Sequence, residues 1–122
     1  MGAKGTVVMK KTLSITRNTL FRRLYAKGKT AVCHDLALYV QKSNAPVNRL
    51  GITVSKKLGK AVIRNRTRRR IKEAYRSIKE RLPSGYNIVI VARICAVNKK
   101  MPELRSSLLK LLKKTDIKVS EE

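Results

Sequence analysis

The chain has 122 residues, fewer than the ~150 that serve as a prior for one domain, so we expect a single domain over residues 1 to 122. Thirty Lys and Arg against seven Asp and Glu give a net charge of +23, which indicates a polyanionic partner. The longest apolar run, residues 88 to 92, has five residues and is too short to span a membrane.

The two ends of the chain and its cysteines set further expectations. Residues 1 to 12 are basic and lack periodicity, which predicts a mobile arm, and residues 116 to 122 form a polar tail. Because the arm contains no apolar segment of ~7 to 15 residues, we expect no secretory signal. Cys33 and Cys95 are too few for a disulfide framework, which favours a reducing, cytoplasmic location.

A short helix is predicted over residues 17 to 27. Apolar side chains recur there at helical spacing, and Gly28 follows where a helix would end. Two of these side chains, Phe21 and Tyr25, are aromatic and lie one turn apart. They are candidates for stacking on unpaired bases, and the alternative is that both pack in the core.

Two strands are predicted next. Residues 31 to 41 alternate, with aliphatic side chains on one face and Tyr39 on the other. Residues 50 to 55 alternate apolar with small side chains, which include Gly51. If the two strands pair as a hairpin, Tyr39 lies in a shallow groove beside Gly51 and can stack on a base. The alternative is that Tyr39 packs under the first helix.

The longest helical pattern runs from residue 59 to residue 82 and stops at Pro83-Ser84-Gly85. Within it, residues 64 to 70 read RNRTRRR and offer no apolar side chain over about two turns. Because a helix N-terminus adds positive potential, this run predicts contacts with RNA or DNA phosphates. The remaining apolar stripe predicts the core face, and it consists of Ile63, Thr67, Ile71, Ala74, Tyr75, Ile78 and Leu82.

The last third of the chain contains one strand and one helix. Residues 86 to 94 are apolar on both faces, which predicts a central strand and allows a parallel neighbour. A helix then begins near Pro102 and buries a leucine stripe. The order of elements predicts an α+β domain with helices packed on one sheet. The leucines of that stripe are Leu104, Leu108, Leu111 and Leu112.

The residue types needed for catalysis by protein side chains are not arranged for it. Glu73 and Glu80 lie roughly 10 Å apart on a helix, too far to act as a close pair. Cys33, His34 and Asp35 are neighbours on a strand, where side chains alternate and do not converge on one metal ion. We therefore predict neither catalytic nor metal-ligating residues, and no autonomous nuclease.

The segment Val54 to Tyr75, VSKKLGKAVIRNRTRRRIKEAY, resembles the signature of the bacterial ribonuclease P protein subunit. That family has a strand ending in S-K-K, a glycine-containing turn and a helix that starts around R-N-R. Upstream, Phe21, Tyr25, Gly28 and Tyr39 stand at the family's spacings for aromatic and glycine positions. The resemblance extends over residues 13 to 113.

The resemblance implies a fold and a function. The fold would be a four-stranded sheet with three helices in the order α-β-β-β-α-β-α, with the first strands forming a hairpin and a left-handed βαβ crossover. The protein would be a monomer in a 1:1 complex with the catalytic ribonuclease P RNA and would assist removal of the 5′ leader of precursor tRNA. Magnesium would be held by the RNA and the substrate. A ribosomal or other structural RNA-binding protein is the alternative.

The resemblance also assigns site residues. The 5′ leader would contact Phe21, Tyr25 and Tyr39, and the acid Asp35 would lie near one end of that cleft, where it departs from the family pattern. The RNA subunit would contact Ser55, Lys56, Lys57, Arg64, Asn65, Arg66, Arg68, Arg69 and Lys72.

Overall fold

The computed structural model describes residues 12 to 14, 25 to 43, 46 to 115 and 117. Within these ranges, five strands form one mixed sheet in the order β1-β4-β5-β3-β2. Two α-helices pack on it, α1 (Ala61–Arg76) and α2 (Met101–Lys114), and residues 25 to 27 are also helical. The strands are β1 (Thr12–Ser14), β2 (Lys29–Val32), β3 (Leu36–Lys42), β4 (Asn48–Thr53) and β5 (Tyr86–Ala92).

The predicted α+β fold and its order of elements are confirmed. Residues 25 to 27 are the part of the predicted first helix that the structure describes, and β2 to β5 are the four expected strands. The strand β1 is an addition: its three residues pair parallel to β4 at the sheet edge, where the sequence shows no strand pattern. The left-handed sense of the β4-α1-β5 crossover stays a prediction, and the predicted arm before Thr12 lies outside the described residues.

The pairing of strands differs in one respect from the prediction. The alternating pattern over residues 31 to 41 is two strands, because β2 and β3 form an antiparallel hairpin around a turn at residues 33 to 35. β3 does not pair with β4, since β5 lies between them, antiparallel to β3 and parallel to β4. A strand that is apolar on both faces is buried best at the centre of a sheet. β5 therefore lies between β3 and β4, the two strands that were predicted to pair with each other.

One face of the sheet packs on the two helices. Leu38 on β3 and Ile90 on β5 are fully buried there, together with Ile71 of α1 and Leu108 of α2. The stripe predicted for α1 is buried throughout except for Ile63, which is half-buried. The leucine stripe predicted for α2 is also confirmed, since Leu104, Leu108, Leu111 and Leu112 are all buried.

The helix α1 ends at Arg76 instead of continuing to Leu82. The Ser77 hydroxyl donates to the Ala74 carbonyl oxygen at 2.7 Å, and a 3₁₀ turn over Lys79–Arg81 follows. A serine that bonds to nearby backbone competes with helix continuation. The turn still buries Ile78 and Leu82, which explains why the apolar pattern continues past the end of the helix.

The described part of the chain contains no helix with the length and apolar character that crossing a membrane requires.

Candidate nucleic-acid interface

The connection between β4 and α1 holds the S-K-K segment at the carboxyl end of β4. Ser55 caps a 3₁₀ turn over Lys56–Leu58, and its hydroxyl oxygen accepts a hydrogen bond from the Lys57 amide at 3.2 Å. Gly59 follows with a φ of 141°, where a side chain would be strained and its Cβ would lie 3.3 Å from Ile63 Cδ1. The turn therefore requires glycine, and it leaves Ser55, Lys56 and Lys57 exposed.

The first twelve residues of α1 carry the basic cluster, which we define as Arg64, Asn65, Arg66, Arg68, Arg69 and Lys72. Arg64 is half-buried, because its Nε donates to the Gly59 carbonyl oxygen at 3.1 Å, and the other five side chains are exposed. The structure therefore brings the predicted RNA-subunit contacts together on one surface that starts at the S-K-K turn.

The surroundings of the basic cluster are cationic. The first turn of α1 contains no acidic residue, and the Lys60 side chain makes no capping hydrogen bond. Across the described residues, none of the cluster's cations lies in an ion pair. Unpaired cations beside helix N-terminal amides favour phosphate groups as ligands.

Two residues of the RNRTRRR run serve the fold instead. Thr67 is buried, and its hydroxyl donates to the Ile63 carbonyl oxygen at 2.9 Å. Arg70 is half-buried, and its Nη1 donates to the Lys99 carbonyl oxygen at 3.1 Å, which ties α1 to the segment before α2. The run as a whole was predicted to contact phosphates, but neither residue is among the RNA-subunit contacts that the resemblance assigns.

The sheet face opposite the helices carries Tyr39, and we call it the tyrosine face. In the strand register Tyr39 lies beside Val89, and Val89 lies beside Gly51, so Gly51 shares the face but is one strand further away than predicted. Tyr25 packs edge-on against Tyr39 with ring centroids 4.8 Å apart. Two of the three predicted leader contacts are therefore adjacent, and Phe21 lies outside the described residues.

The sequence left open whether these aromatic side chains stack on bases or pack within the domain, and the geometry of the tyrosine pair allows both. Tyr39 is half-buried beneath the end of the first helix, whereas Tyr25 is 44% exposed. An edge-to-face pair fixes the orientation of both rings. The exposed Tyr25 ring and the accessible part of Tyr39 are thus available for stacking, while the contact between them also holds the helix end on the sheet.

Asp35 does not lie on the tyrosine face, and the expectation of an acid near the leader cleft is wrong. Its carboxylate is almost fully buried and accepts hydrogen bonds from Cys33 Sγ at 3.0 Å and from the Ser107 hydroxyl of α2 at 2.8 Å. The acid therefore joins the β2-β3 turn to α2, which packs on the other face of the sheet.

Sequence reasoning missed the carboxyl end of β5. Thr53 of β4 pairs in parallel with Val91 of β5, so the residues that follow both strands emerge at the same end of the sheet. Arg93, Ile94 and Cys95 are all exposed there, and they line a pocket with Ser55 and Lys57. The two-faced apolar pattern of β5 allowed a parallel neighbour, and pairing it with β4 would have identified this end.

The chain is similar in sequence to a known protein family and to its members. The family model described as Ribonuclease P matches residues 9–116. A ribonuclease P protein component from Clostridioides difficile is 40% identical over 110 residues, which cover 89% of this chain and 96% of that protein. One from Clostridium botulinum strain Langeland is 43% identical over 104 residues, covering 84% and 94% respectively.

Solved structures give the same result. The Staphylococcus aureus RNase P protein at 2.0 Å superposes with a TM-score of 0.78 at 32% identity, over 88% of this chain and 98% of that one. The RNase P protein from Thermotoga maritima superposes with a TM-score of 0.70 at 30% identity, over 80% and 91%.

Proposed function

The chain belongs to the ribonuclease P protein family, and on that basis we propose that it is the protein subunit of ribonuclease P. In this role it binds the catalytic RNA and the 5′ leader of precursor tRNA and assists endonucleolytic removal of the leader. The protein acts by binding and positioning, and the bond is cleaved at a site in the RNA subunit.

The basic cluster is the observation that carries this proposal. Its cations lie within the first twelve residues of α1, with no acidic partner among the described residues. Each cation that contacts a phosphate releases counterions from the RNA, so the affinity falls with salt in proportion to the number of contacts. We assign the RNA-subunit contacts to the basic cluster together with Ser55, Lys56 and Lys57.

The tyrosine face is the proposed contact for the leader, together with Phe21. A leader is single-stranded, and its unpaired bases offer flat apolar surfaces that stack on aromatic rings. The exposed Tyr25 ring beside Tyr39 is suited to such stacking. Mature tRNA lacks the leader, so this contact favours the precursor over the product.

We further propose that the protein works as a monomer in a 1:1 complex with the RNA in the cytoplasm. Magnesium is assigned to the RNA and the substrate. A chain with a net charge of +23 repels divalent cations, whereas the phosphates of a folded RNA attract them. The protein contribution to catalysis is therefore neutralisation of RNA charge and capture of the leader.

Reconstitution tests this function directly. The purified chain is added to a bacterial ribonuclease P RNA at low magnesium, and the rate of precursor tRNA cleavage is measured. We expect the protein to raise the rate, because its cations replace part of the magnesium needed to neutralise the RNA. No gain would contradict the proposal and favour a ribosomal or other structural RNA-binding protein.

A protein-only reaction is the matched control. It should leave the precursor intact, because the proposal places the cleavage site in the RNA. Cleavage without the RNA subunit would overturn that placement. The position of the cut, read from the length of the released leader, distinguishes correct 5′ processing from unspecific degradation.

A further inference from the structure

A pocket of about 350 Å³ lies at the carboxyl ends of β4 and β5, and we call it the end pocket. Its volume is at the lower end of the range for ligand pockets, roughly 300 to 1,000 Å³. Leu58, Ala92 and Ile94 supply apolar lining, and Cys95 lies beside them. The polar lining consists of His34, Ser55, Lys57 and Arg93. None of these lining side chains is acidic.

Ile94 is the unusual member of this lining. Its side chain is 72% exposed, and its neighbours Arg93 and Cys95 are exposed as well. An exposed aliphatic side chain alone needs no explanation. Here it stands directly after the cation Arg93, in a pocket that Lys57 also lines. The pocket thus combines an exposed apolar surface with positive charge.

Arg93 is positioned by the turn between β2 and β3. Its Nη1 donates to the Cys33 carbonyl oxygen at 2.9 Å, and its backbone amide donates to the Asp35 carbonyl oxygen at 2.9 Å. The backbone of Lys57 is held by the Ser55-capped 3₁₀ turn. Both cations are therefore carried by backbone segments that hydrogen bonds hold in place, which reduces the entropy lost on binding an anion.

We propose that the end pocket takes one unpaired nucleotide of the RNA, with the base against Leu58 and Ile94 and its phosphate against Lys57 and Arg93. A nucleotide joins a flat apolar base to an anion, which matches both parts of the lining. The pocket also continues the proposed RNA surface, since Ser55 and Lys57 belong to both. This inference rests on the proposed function and adds a second base site, separate from the tyrosine face.

The variant Ile94→Ser tests the apolar contact. The side chain is exposed, so the domain should remain folded. The matched control is Val62→Ser, which removes an aliphatic side chain that is 77% exposed near the basic cluster but outside the pocket lining. We expect Ile94→Ser to weaken RNA binding roughly 5- to 10-fold, and Val62→Ser to leave the affinity within about twofold.

Two binding measurements identify the source of the nucleotide. If it comes from the RNA subunit, Ile94→Ser weakens binding of ribonuclease P RNA without substrate. If it comes from the leader, the variant weakens binding of precursor tRNA to the holoenzyme and leaves mature tRNA unaffected. Equal behaviour of Ile94→Ser and Val62→Ser in both measurements would overturn the inference.

Alkylation of Cys95 gives an independent readout, because this exposed thiol lines the pocket. The extent of iodoacetamide labelling is measured by peptide mass spectrometry with ribonuclease P RNA, precursor tRNA or poly-glutamate present. We expect protection by RNA. Protection by poly-glutamate and not by RNA would identify an acidic protein segment as the occupant and contradict the proposal.

Failure of this inference is distinguishable from failure of the proposed function. Wild-type protein that stimulates cleavage while Ile94→Ser matches Val62→Ser rejects only the end pocket. Wild-type protein that gives no stimulation rejects the proposed function itself.

Discussion

The two α-helices differ in whether a carboxylate balances the positive end of the helix. Both pack a buried stripe against the same sheet face, and both begin with backbone amides that favour a negative charge. In α2, Glu103 provides that charge: its carboxylate accepts from the Lys100 amide at 3.1 Å and lies 3.7 Å from Lys99 Nζ. In α1, the first turn contains no acid and is followed by the basic cluster.

This difference is what the proposed function predicts for a helix that serves the fold, α2, and a helix that binds RNA, α1. An internal carboxylate stabilises α2 whether or not RNA is present. The start of α1 has no such group within the described residues, and in the proposed complex the phosphates of the RNA would supply the negative charge. On that proposal, RNA binding at α1 would also raise the stability of the folded protein.

The largest effect is expected from removing charge in the basic cluster. Arg66→Ala with Arg69→Ala deletes two exposed cations that are not part of the buried stripe. We expect binding to the RNA subunit to weaken by about 2 to 3 kcal/mol, roughly 30- to 150-fold. The slope of log affinity against log salt should become shallower by about two, one for each lost phosphate contact.

The corresponding double variant on α2 is Lys110→Ala with Lys113→Ala. Both side chains are exposed, and the change in net charge is the same. If position on the molecule matters, this variant should weaken binding by less than about threefold, because only screened long-range attraction is lost. Similar losses from the two double variants would mean that only total charge matters and would remove the distinction between the helices.

The exposure of the basic cluster could be predicted because burial is periodic in a helix. A run of seven polar residues cannot be buried all round, and the stripe through Ile71 and Ala74 indicates which side is buried. The same reasoning correctly placed the leucines of α2. It could not single out Arg70, since the bond from its guanidinium to Lys99 depends on where another segment packs.

Strand order was less predictable than strand faces. The alternation correctly places Tyr39 and Leu38 on different faces of the sheet. It carries no information about which strand lies beside β3. Inserting β5 between β3 and β4 moved Gly51 one strand away from Tyr39. Asp35 was misplaced for a related reason: it lies in the turn at residues 33 to 35, where strand alternation no longer applies.

Tyr39→Ala should produce the next largest effect, on precursor tRNA and not on the RNA subunit. A stacked base contributes roughly 1 to 3 kcal/mol, so leader-dependent binding should weaken about 5- to 100-fold. Tyr39→Phe keeps the ring and should retain most of the affinity. The measurement compares precursor and mature tRNA binding to holoenzymes made with each variant.

The Tyr25 contact complicates this test, because the rings lie 4.8 Å apart and an aromatic pair adds about 0.5 to 1.5 kcal/mol to stability. Thermal unfolding of each preparation is therefore measured as well. A large fall in Tm with equal losses for both tRNA forms would show that Tyr39 acts only by holding the helix end on the sheet.

A smaller effect, confined to stability, is expected from Ser107→Ala on α2. The substitution removes the hydroxyl that donates to the buried Asp35 carboxylate at 2.8 Å. Loss of a donor to a buried acceptor costs about 1 to 3 kcal/mol, and affinity for RNA should not change. Ser106→Ala is the control, since Ser106 is exposed on the same helix. Equal unfolding temperatures for the two variants would show that this link contributes nothing.

The smallest effect is expected from adding a carboxylate to the first turn of α1 and removing the one in the first turn of α2. Val62→Glu places a carboxylate in the first turn of α1 at an exposed position. We expect the free protein to gain about 0.3 to 1 kcal/mol of stability, while binding to the RNA subunit weakens because the new carboxylate competes with phosphate. Glu103→Gln should lower stability by a similar amount and leave RNA binding unchanged. The decisive observation is that Val62→Glu raises stability and lowers RNA affinity. If stability and affinity instead changed in the same direction, the start of α1 would serve the fold in the same way as the start of α2.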